Sequence, residues 1–189
     1  MNSMYRMKTD TQVTPSFGGD TGPSMPTPAR AGRRIQVRRE SGGRRIQIRR
    51  SGIHGKGVFA LRALAKGETV IEYTGEVISW REALRRHPHD PKDPNHTFYF
   101  HIDDKHVIDA KVGGNAARWI NHACGPNCEA DEIDGRVFIK ALRDIGPGEE
   151  LFYDYGLSVD ERYTPSLKKQ YACCCGTSAC RGTLLAPKR

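Results

Sequence analysis

Nothing in this sequence approaches the roughly 18 consecutive apolar residues that a bilayer-spanning helix needs, so no membrane span is expected. The N-terminus also lacks the apolar core of a secretory signal, which points to an intracellular protein in a reducing compartment. Acidic residues are missing where bases crowd. Residues 30–50 hold nine arginines against a single acid, Glu40, an excess equal to the +8 net charge of the whole chain. The rest of the chain is therefore neutral, and the basic character is local. Such a run suits an arm for nucleic acid or another polyanion, and equally a solvated, solubilising segment. Large apolar residues are scarce over 1–31, where Thr, Ser, Gly and Pro dominate, so that stretch buries too little surface to order itself. No repeat array is present either. The segment from Gly32 to Arg39 nearly recurs from Gly43 to Arg50, but two copies make no solenoid. At 189 residues, the chain is one domain plus an unordered arm.

Cysteine is what the sequence does have. Cys173, Cys174 and Cys175 are consecutive and Cys180 follows, so Cys-x-Cys-x4-Cys offers three thiolates within eight residues. Consecutive cysteines suit metal ligation better than disulfide pairing. A structural zinc site takes four tetrahedral ligands, and the fourth must come from Cys124 or Cys128, the only cysteines outside that cluster.

The pattern is mostly β with short helices. The second arginine copy alternates Ile46 and Ile48 with polar neighbours, as a half-buried strand does. Strands are predicted over 57–60, 69–73, 97–102, 107–108 and 136–141, with a turn at 65–68. A helix is predicted over 79–86, where Ser79 and Glu82 form a capping box. Three prolines mark 87–96 as a loop, and 115–120 reads as a helical turn.

Four motifs carry chemistry. The first is the glycine-rich Gly55-Lys56-Gly57, which permits close backbone approach but on its own also suits a plain turn. The second is Arg118-Trp119-Ile120-Asn121-His122-Ala123-Cys124-Gly125-Pro126-Asn127-Cys128, and the third is Gly148-Glu149-Glu150-Leu151-Phe152-Tyr153-Asp154-Tyr155-Gly156. The cysteine cluster followed by Arg181-Gly182 is the fourth. In this order the motifs resemble the SET-domain protein lysine methyltransferases with a post-SET zinc module, over about residues 44–182. The chain lacks the cysteine-rich pre-SET region of many eukaryotic members and is similar to short, stand-alone SET proteins of bacteria.

The resemblance implies a SET-domain fold, small β-sheets around a knot-like crossing where the Asn-His and Tyr-Asp-Tyr segments meet, plus a C-terminal post-SET zinc module. It divides the chain into a disordered basic arm over 1–43, a catalytic domain over 44–156 and the zinc-binding module and tail over 157–189. It implies S-adenosyl-L-methionine as cofactor, held by His54, Lys56, Gly57, Phe98, Arg118, Asn121, His122, Tyr155 and Cys174, with Trp119 supporting that wall. Trp119 would equally serve as core packing. Tyr155 matches the family's catalytic tyrosine, and Tyr153 the position that limits how many methyls fit. The zinc ligands would be Cys124, Cys173, Cys175 and Cys180, with Cys128 a buried structural thiol.

One position departs from the family. Phe98 stands where many members carry a tyrosine, so either the strand is shifted by one residue or the pocket lacks a hydroxyl. The implied function is transfer of a methyl group to a lysine of a protein, histone or histone-like proteins among the candidates. The alternative is a non-catalytic zinc-bearing module that binds nucleic acid or chromatin. The partners implied are a lysine-bearing protein or peptide, and a polyanion for the arm, with no membrane and a monomeric chain. The site of action would be the cytoplasm or chromosome in a bacterium and the nucleus in a eukaryotic cell.

Overall fold

The computed structural model describes residues 6–7, 44–87, 97–159 and 161–188. Its strands are β1 (Arg6–Met7), β2 (Ile46–Arg50), β3 (Lys56–Ala60), β4 (Thr69–Tyr73), β5 (Glu76–Ser79), β6 (Tyr99–His101), β7 (His106–Asp109), β8 (Asn121–His122), β9 (Cys128–Ile133), β10 (Arg136–Ala141), β11 (Phe152–Tyr153) and β12 (Leu157–Ser158). Two short helices, α1 (Trp80–Arg86) and α2 (Pro165–Gln170), and a 3-10 turn, Ala116–Trp119, complete it. The fold is mostly β, in small sheets: β2–β3, β4–β10–β9, β5–β7–β6, β8–β11 and β1–β12. No described helix is long and apolar enough to cross a membrane.

Local chemistry explains most of these elements. Ser79 caps α1 by accepting the Glu82 N–H at 3.2 Å. The Glu82 carboxylate does not close the second half of the predicted capping box. Instead it takes the guanidiniums of Arg85 and Arg86, one turn further along the helix. Asn115 caps the 3-10 turn through Ala117 N–H and ties it to β4 by donating to the Glu72 carbonyl. Asp134 and Gly135 both have positive φ, 53° and 74°, as a tight hairpin between β9 and β10 requires. The strand predicted over 97–102 is shorter than expected, Tyr99–His101. β2 forms as predicted, but Ile48 is 41% exposed, because β2 is an edge with β3 as its one sheet partner.

Val58, Leu64, Ile120, Val137, Ile139, Ile145 and Leu151 are all at most 1% exposed and form one core. Tyr171 and Leu185 belong to that same cluster, so the C-terminal segment shares the main core. Within the sequence expected to be an unordered arm, Arg6–Met7 forms a strand paired with Leu157–Ser158. The other residues of 1–43 lie outside the described set, as do residues 88–96 of the predicted proline loop.

The two ends of the core are joined by Asn127, which is 4% exposed. Its amide donates to the Glu150 carbonyl at 2.8 Å and accepts the Phe152 N–H at 2.8 Å. Replacing Asn127 by Ala would orphan two backbone groups, each at about 1–3 kcal/mol when buried. Asn127→Ala is expected to lower stability by about 2–4 kcal/mol, seen as a lower urea midpoint at unchanged slope. A loss under about 1 kcal/mol would mean that water restores both bonds.

Candidate active site and thiolate cluster

The site is built where β8 and β11 run parallel, with Phe152 opposite Asn121 and Tyr153 opposite His122. This is how the Asn-His and Tyr-Asp-Tyr motifs meet. The Asn121 amide reaches out of the pair to the carbonyls of His54 at 3.3 Å and Lys56 at 2.9 Å, and to Glu150 Oε1 at 3.0 Å. Glu150 also accepts from the Ser51 hydroxyl at 3.0 Å. The glycine-rich turn is thus fastened from beneath by one amide and one carboxylate. A Cβ at Gly57 would meet the end of the Glu150 side chain, so a larger residue there would push that carboxylate off Asn121 and Ser51.

Beside this turn the aromatic wall assembles. Phe98 and Trp119 meet edge-to-face at 5.1 Å, with Lys56 Nζ 4.5 Å and the Arg118 guanidinium 5.0 Å from the Trp119 ring centre. His54, Lys56, Gly57, Phe98, Arg118, Asn121 and His122 are therefore brought into one neighbourhood. Trp119 is only partly buried and lines this wall in company with two cations. Phe98 lies on this wall, while Tyr99 points the opposite way, donating its hydroxyl to the Ala83 carbonyl of α1 at 3.1 Å.

A tyrosine the motifs did not flag joins an aromatic cluster with the two tyrosines of the third motif. Tyr73 packs 5.2 Å from Phe100, whose ring is 6.2 Å from Tyr153, and Tyr153 lies 5.0 Å from Tyr155. The Tyr155 hydroxyl donates to the Ile120 carbonyl at 3.0 Å, and that of Tyr73 to the Phe98 carbonyl at 3.1 Å. Burial pushes all three phenols above their ordinary range, so each stays neutral. Among the described residues the Tyr153 hydroxyl has no hydrogen-bond partner. The only sequence signal for Tyr73 is an apolar strand ending in tyrosine, which any buried strand provides.

His122 links the cavity to the cysteines. The Tyr155 backbone N–H donates to His122 Nδ1 at 3.1 Å, so Nδ1 is an acceptor and the ring proton sits on Nε2. Nε2 faces Cys124 Sγ at 3.3 Å. Burial lowers the His122 pKa to about 4, so the ring is neutral and offers that one N–H to sulfur. Burial is the largest influence on Asp154 and opposes its ionisation, but the hydrogen bonds from Arg181, at 2.6 and 2.9 Å, the Gly156 N–H and the nearby positive charge together keep the carboxyl below its usual range.

Cys124, Cys173, Cys175 and Cys180 lie with all sulfurs within 4.8 Å of one another. Cys124 is the fourth member of the cluster, and Cys128 is buried apart from it, where burial raises its thiol pKa to about 12. Cys174 is exposed and outside the cluster. Four thiolates around a tetrahedral ion with bonds near 2.3 Å stand about 3.8 Å apart, and Cys124 and Cys173 are at 3.7 Å. Backbone N–H groups of Arg181 and Gly182 point at Cys124 and Cys180 at 3.3 and 3.4 Å, as donors do around thiolate ligands. Four sulfurs this close cannot all ionise without a cation between them, so the donor set fits a closed, non-catalytic metal site. On the aromatic wall, Arg118 Nε is buried with no hydrogen-bond partner among the described residues, which suits a ligand bearing acceptor atoms.

A buried tyrosine cluster beside the parallel pair of the Asn-His and Phe-Tyr strands, with four clustered cysteines linked to it through His122, is the arrangement expected of a SET-type domain. Residues 55–156 match the SET domain family, and the chain belongs to it. It is 34% identical over 182 residues, 94% of its own length, to the histone-lysine N-methyltransferase trithorax of Drosophila melanogaster, of which it spans 4%. To an H3 lysine-4 specific histone-lysine N-methyltransferase of Chaetomium globosum it is 41% identical over 140 residues, 71% of this chain and 13% of that protein. The chain thus spans a small fraction of these relatives. A solved structure described as ctPRC2 in an autoinhibited conformation bound to S-adenosylmethionine shares 33% identity, with a TM-score of 0.55 over 61% of this chain and 15% of that one.

Proposed function

We propose that this chain is an S-adenosylmethionine-dependent protein-lysine N-methyltransferase acting on a histone or histone-like substrate, with its place of action on chromatin or the chromosome. The observation that carries the proposal is Tyr155. Its hydroxyl hydrogen is committed to the Ile120 carbonyl, so its oxygen lone pairs are what the cavity receives. An acceptor of that kind, neutral and fixed, suits the N–H groups of an amine or the polarised C–H groups of a sulfonium methyl. The cofactor, when bound, supplies that activated methyl.

The chain's own residues position and exclude. Asn121 and Glu150 hold the glycine-rich turn, and His54, Lys56, Gly57, Arg118, His122 and the Phe98–Trp119 pair form the wall for the cofactor. Tyr73, Phe100, Tyr153 and Tyr155 pack as one buried aromatic cluster, the place assigned to the substrate lysine, where water is excluded. Burial there lowers a lysine's pKa and favours the neutral, nucleophilic amine. Most of the rate then comes from orientation in a preorganised site. The four cysteines would hold a structural zinc that fixes the C-terminal segment, and Cys174, exposed and outside the cluster, would offer its backbone to the cofactor. We assign 44–156 as the catalytic domain and 157–189 as the zinc-binding module and tail.

Elemental analysis is expected to find one zinc per chain. Cys175→Ser should lose the metal and weaken cofactor binding by calorimetry, whereas a metal-free preparation with full activity would refute the structural role. Incubation with histones and labelled cofactor tests the activity itself. Tyr155→Phe is expected to slow methyl transfer about a hundredfold, the scale of losing one positioned polar group, with much less change in cofactor affinity. Near-wild-type turnover would remove Tyr155 from the mechanism. Product size should follow Tyr153. The wild type is expected to stop mainly at monomethyl-lysine, and Tyr153→Phe to shift the product to higher states. Intact-mass spectra showing mostly trimethyl-lysine from the wild type would contradict the assignment.

A further inference from the structure

We propose that the β2–β3 hairpin is a docking surface for the phosphate backbone of double-stranded DNA, held without regard to base sequence. Over residues 44–67 the chain has seven lysines and arginines and no acidic residue, whereas residues 68–189 hold 16 bases against 19 acids. The positive charge of this part of the chain is thus gathered on one element. β2 pairs with β3 from Ile46 opposite Ala60 to Arg50 opposite Lys56, and among the described residues it has no second sheet partner. Arg44, Arg49, Arg50, Lys56 and Lys66 are all exposed. A strand rises about 3.3 Å per residue, so Arg44 to Arg50 reach along about 20 Å, a length of duplex that bears about a dozen phosphates.

These charges are not spent within the protein. Arg50 stands directly opposite Lys56, and like charges so placed repel. Among the described residues Arg45 is the one arginine of 44–50 paired with an acid, Glu68. The acids beside the hairpin are engaged elsewhere, Glu149 by Arg143 and Glu150 by Asn121 and Ser51. A row of phosphates supplies the missing counter-charge, and the ions it releases drive the association. The aromatic rings decide which nucleic acid fits. Proteins that grip single strands offer open aromatic faces on which bases stack. Here the Arg49 guanidinium lies 4.0 Å over the Phe59 ring, and Trp119 carries Lys56 and Arg118. The hairpin therefore offers charge and not stacking, which suits the backbone of a duplex. The turn at its end is the one that Asn121 fastens, so a duplex held there raises the effective concentration of DNA-bound proteins near the proposed active site.

The test uses the full chain without cofactor, a short duplex of mixed sequence and a single strand of equal length. Binding is followed from about 50 to 200 mM salt. One variant combines Arg44→Gln, Arg49→Gln and Arg50→Gln, which keeps the backbone pairing of β2 and leaves the cofactor wall untouched. The wild type is expected to bind the duplex more tightly than the single strand. Each lost phosphate contact removes about 0.9 from the slope of log K against log salt, so the variant should lose about 2–3 from that slope and bind about tenfold or more weakly at low salt. Its turnover of a free histone H3 peptide should match the wild type. The corresponding triple lysine variant keeps the charge and should keep the slope. Unchanged affinity and slope in the glutamine variant would overturn the inference, because binding would then lie elsewhere in the chain. A slope lost equally in the lysine variant, or tighter binding of the single strand, would overturn it as well. Since binding is read without cofactor or peptide, any of these outcomes leaves the proposed methyl transfer standing.

Discussion

The parallel pairing of β8 with β11 is the constraint on which the rest of the structure depends. Each strand is two residues long, too short to persist alone. Their pairing is held from outside, by Asn127 satisfying the backbone at Glu150 and Phe152, and by Ile120, Leu151 and Tyr153 buried around it. The β9–β10 hairpin, inserted between the two strands, is itself fixed by the tight Asp134-Gly135 turn and by pairing with β4. Alternation along a strand then sorts the side chains. Asn121 faces the glycine-rich turn, His122 faces the cysteines, and Tyr153 and Tyr155 share the cavity. A one-residue slip would exchange these faces and dismantle all three sites at once.

The cysteine cluster is joined to the same pair by a chain of directed hydrogen bonds. The Tyr155 N–H fixes the His122 tautomer, which aims Nε2–H at Cys124. Asp154, between the two tyrosines, grips Arg181 of the C-terminal segment in a two-pronged pair, and the Arg181 N–H returns to Cys124. The loop closes on itself, so the order of the C-terminal segment and the placement of Tyr155 are a single structural problem. The C-terminal module is accordingly no appendage: Tyr171 and Leu185 are buried in the common core, and the Leu185 bridge to Leu157 sets the edge on which β1 lies.

How much of this was legible depended on whether the partners were local. The capped helix at 79–86, the strands at 57–60 and 69–73 and the three clustered cysteines are short-range patterns, and they stand where the sequence puts them. Choosing Cys124 over Cys128 needed three-dimensional proximity or family resemblance, since both sit at acceptable spacing in the same motif. Tyr73 lies outside the motifs, and Asn127 and Glu150 lie inside them without a role that the motif itself assigns, because each acts on groups 23 or more residues away. Ile48 misled in the opposite sense, because alternation announces a strand but not whether its apolar face will be covered. The Asp134-Gly135 turn is legible from its residue types alone, since Asp-Gly is a pair that a two-residue hairpin turn favours.

The polarity of the cavity argues for which reactions it suits. Two of its three phenols, Tyr73 and Tyr155, spend their hydrogens on backbone carbonyls, and burial keeps all three from ionising. A pocket lined this way presents oxygen acceptors and aromatic faces, and those two donors are turned away from the centre. It stabilises positive, hydrogen-rich groups and offers little to an oxyanion, the reverse of an acyl-transfer site. Methyl transfer from a sulfonium to an amine begins with positive charge on sulfur and ends with it on nitrogen, so the charge migrates across the channel without ever becoming negative. A neutral wall of acceptors that need not reorganise suits both ends of that path.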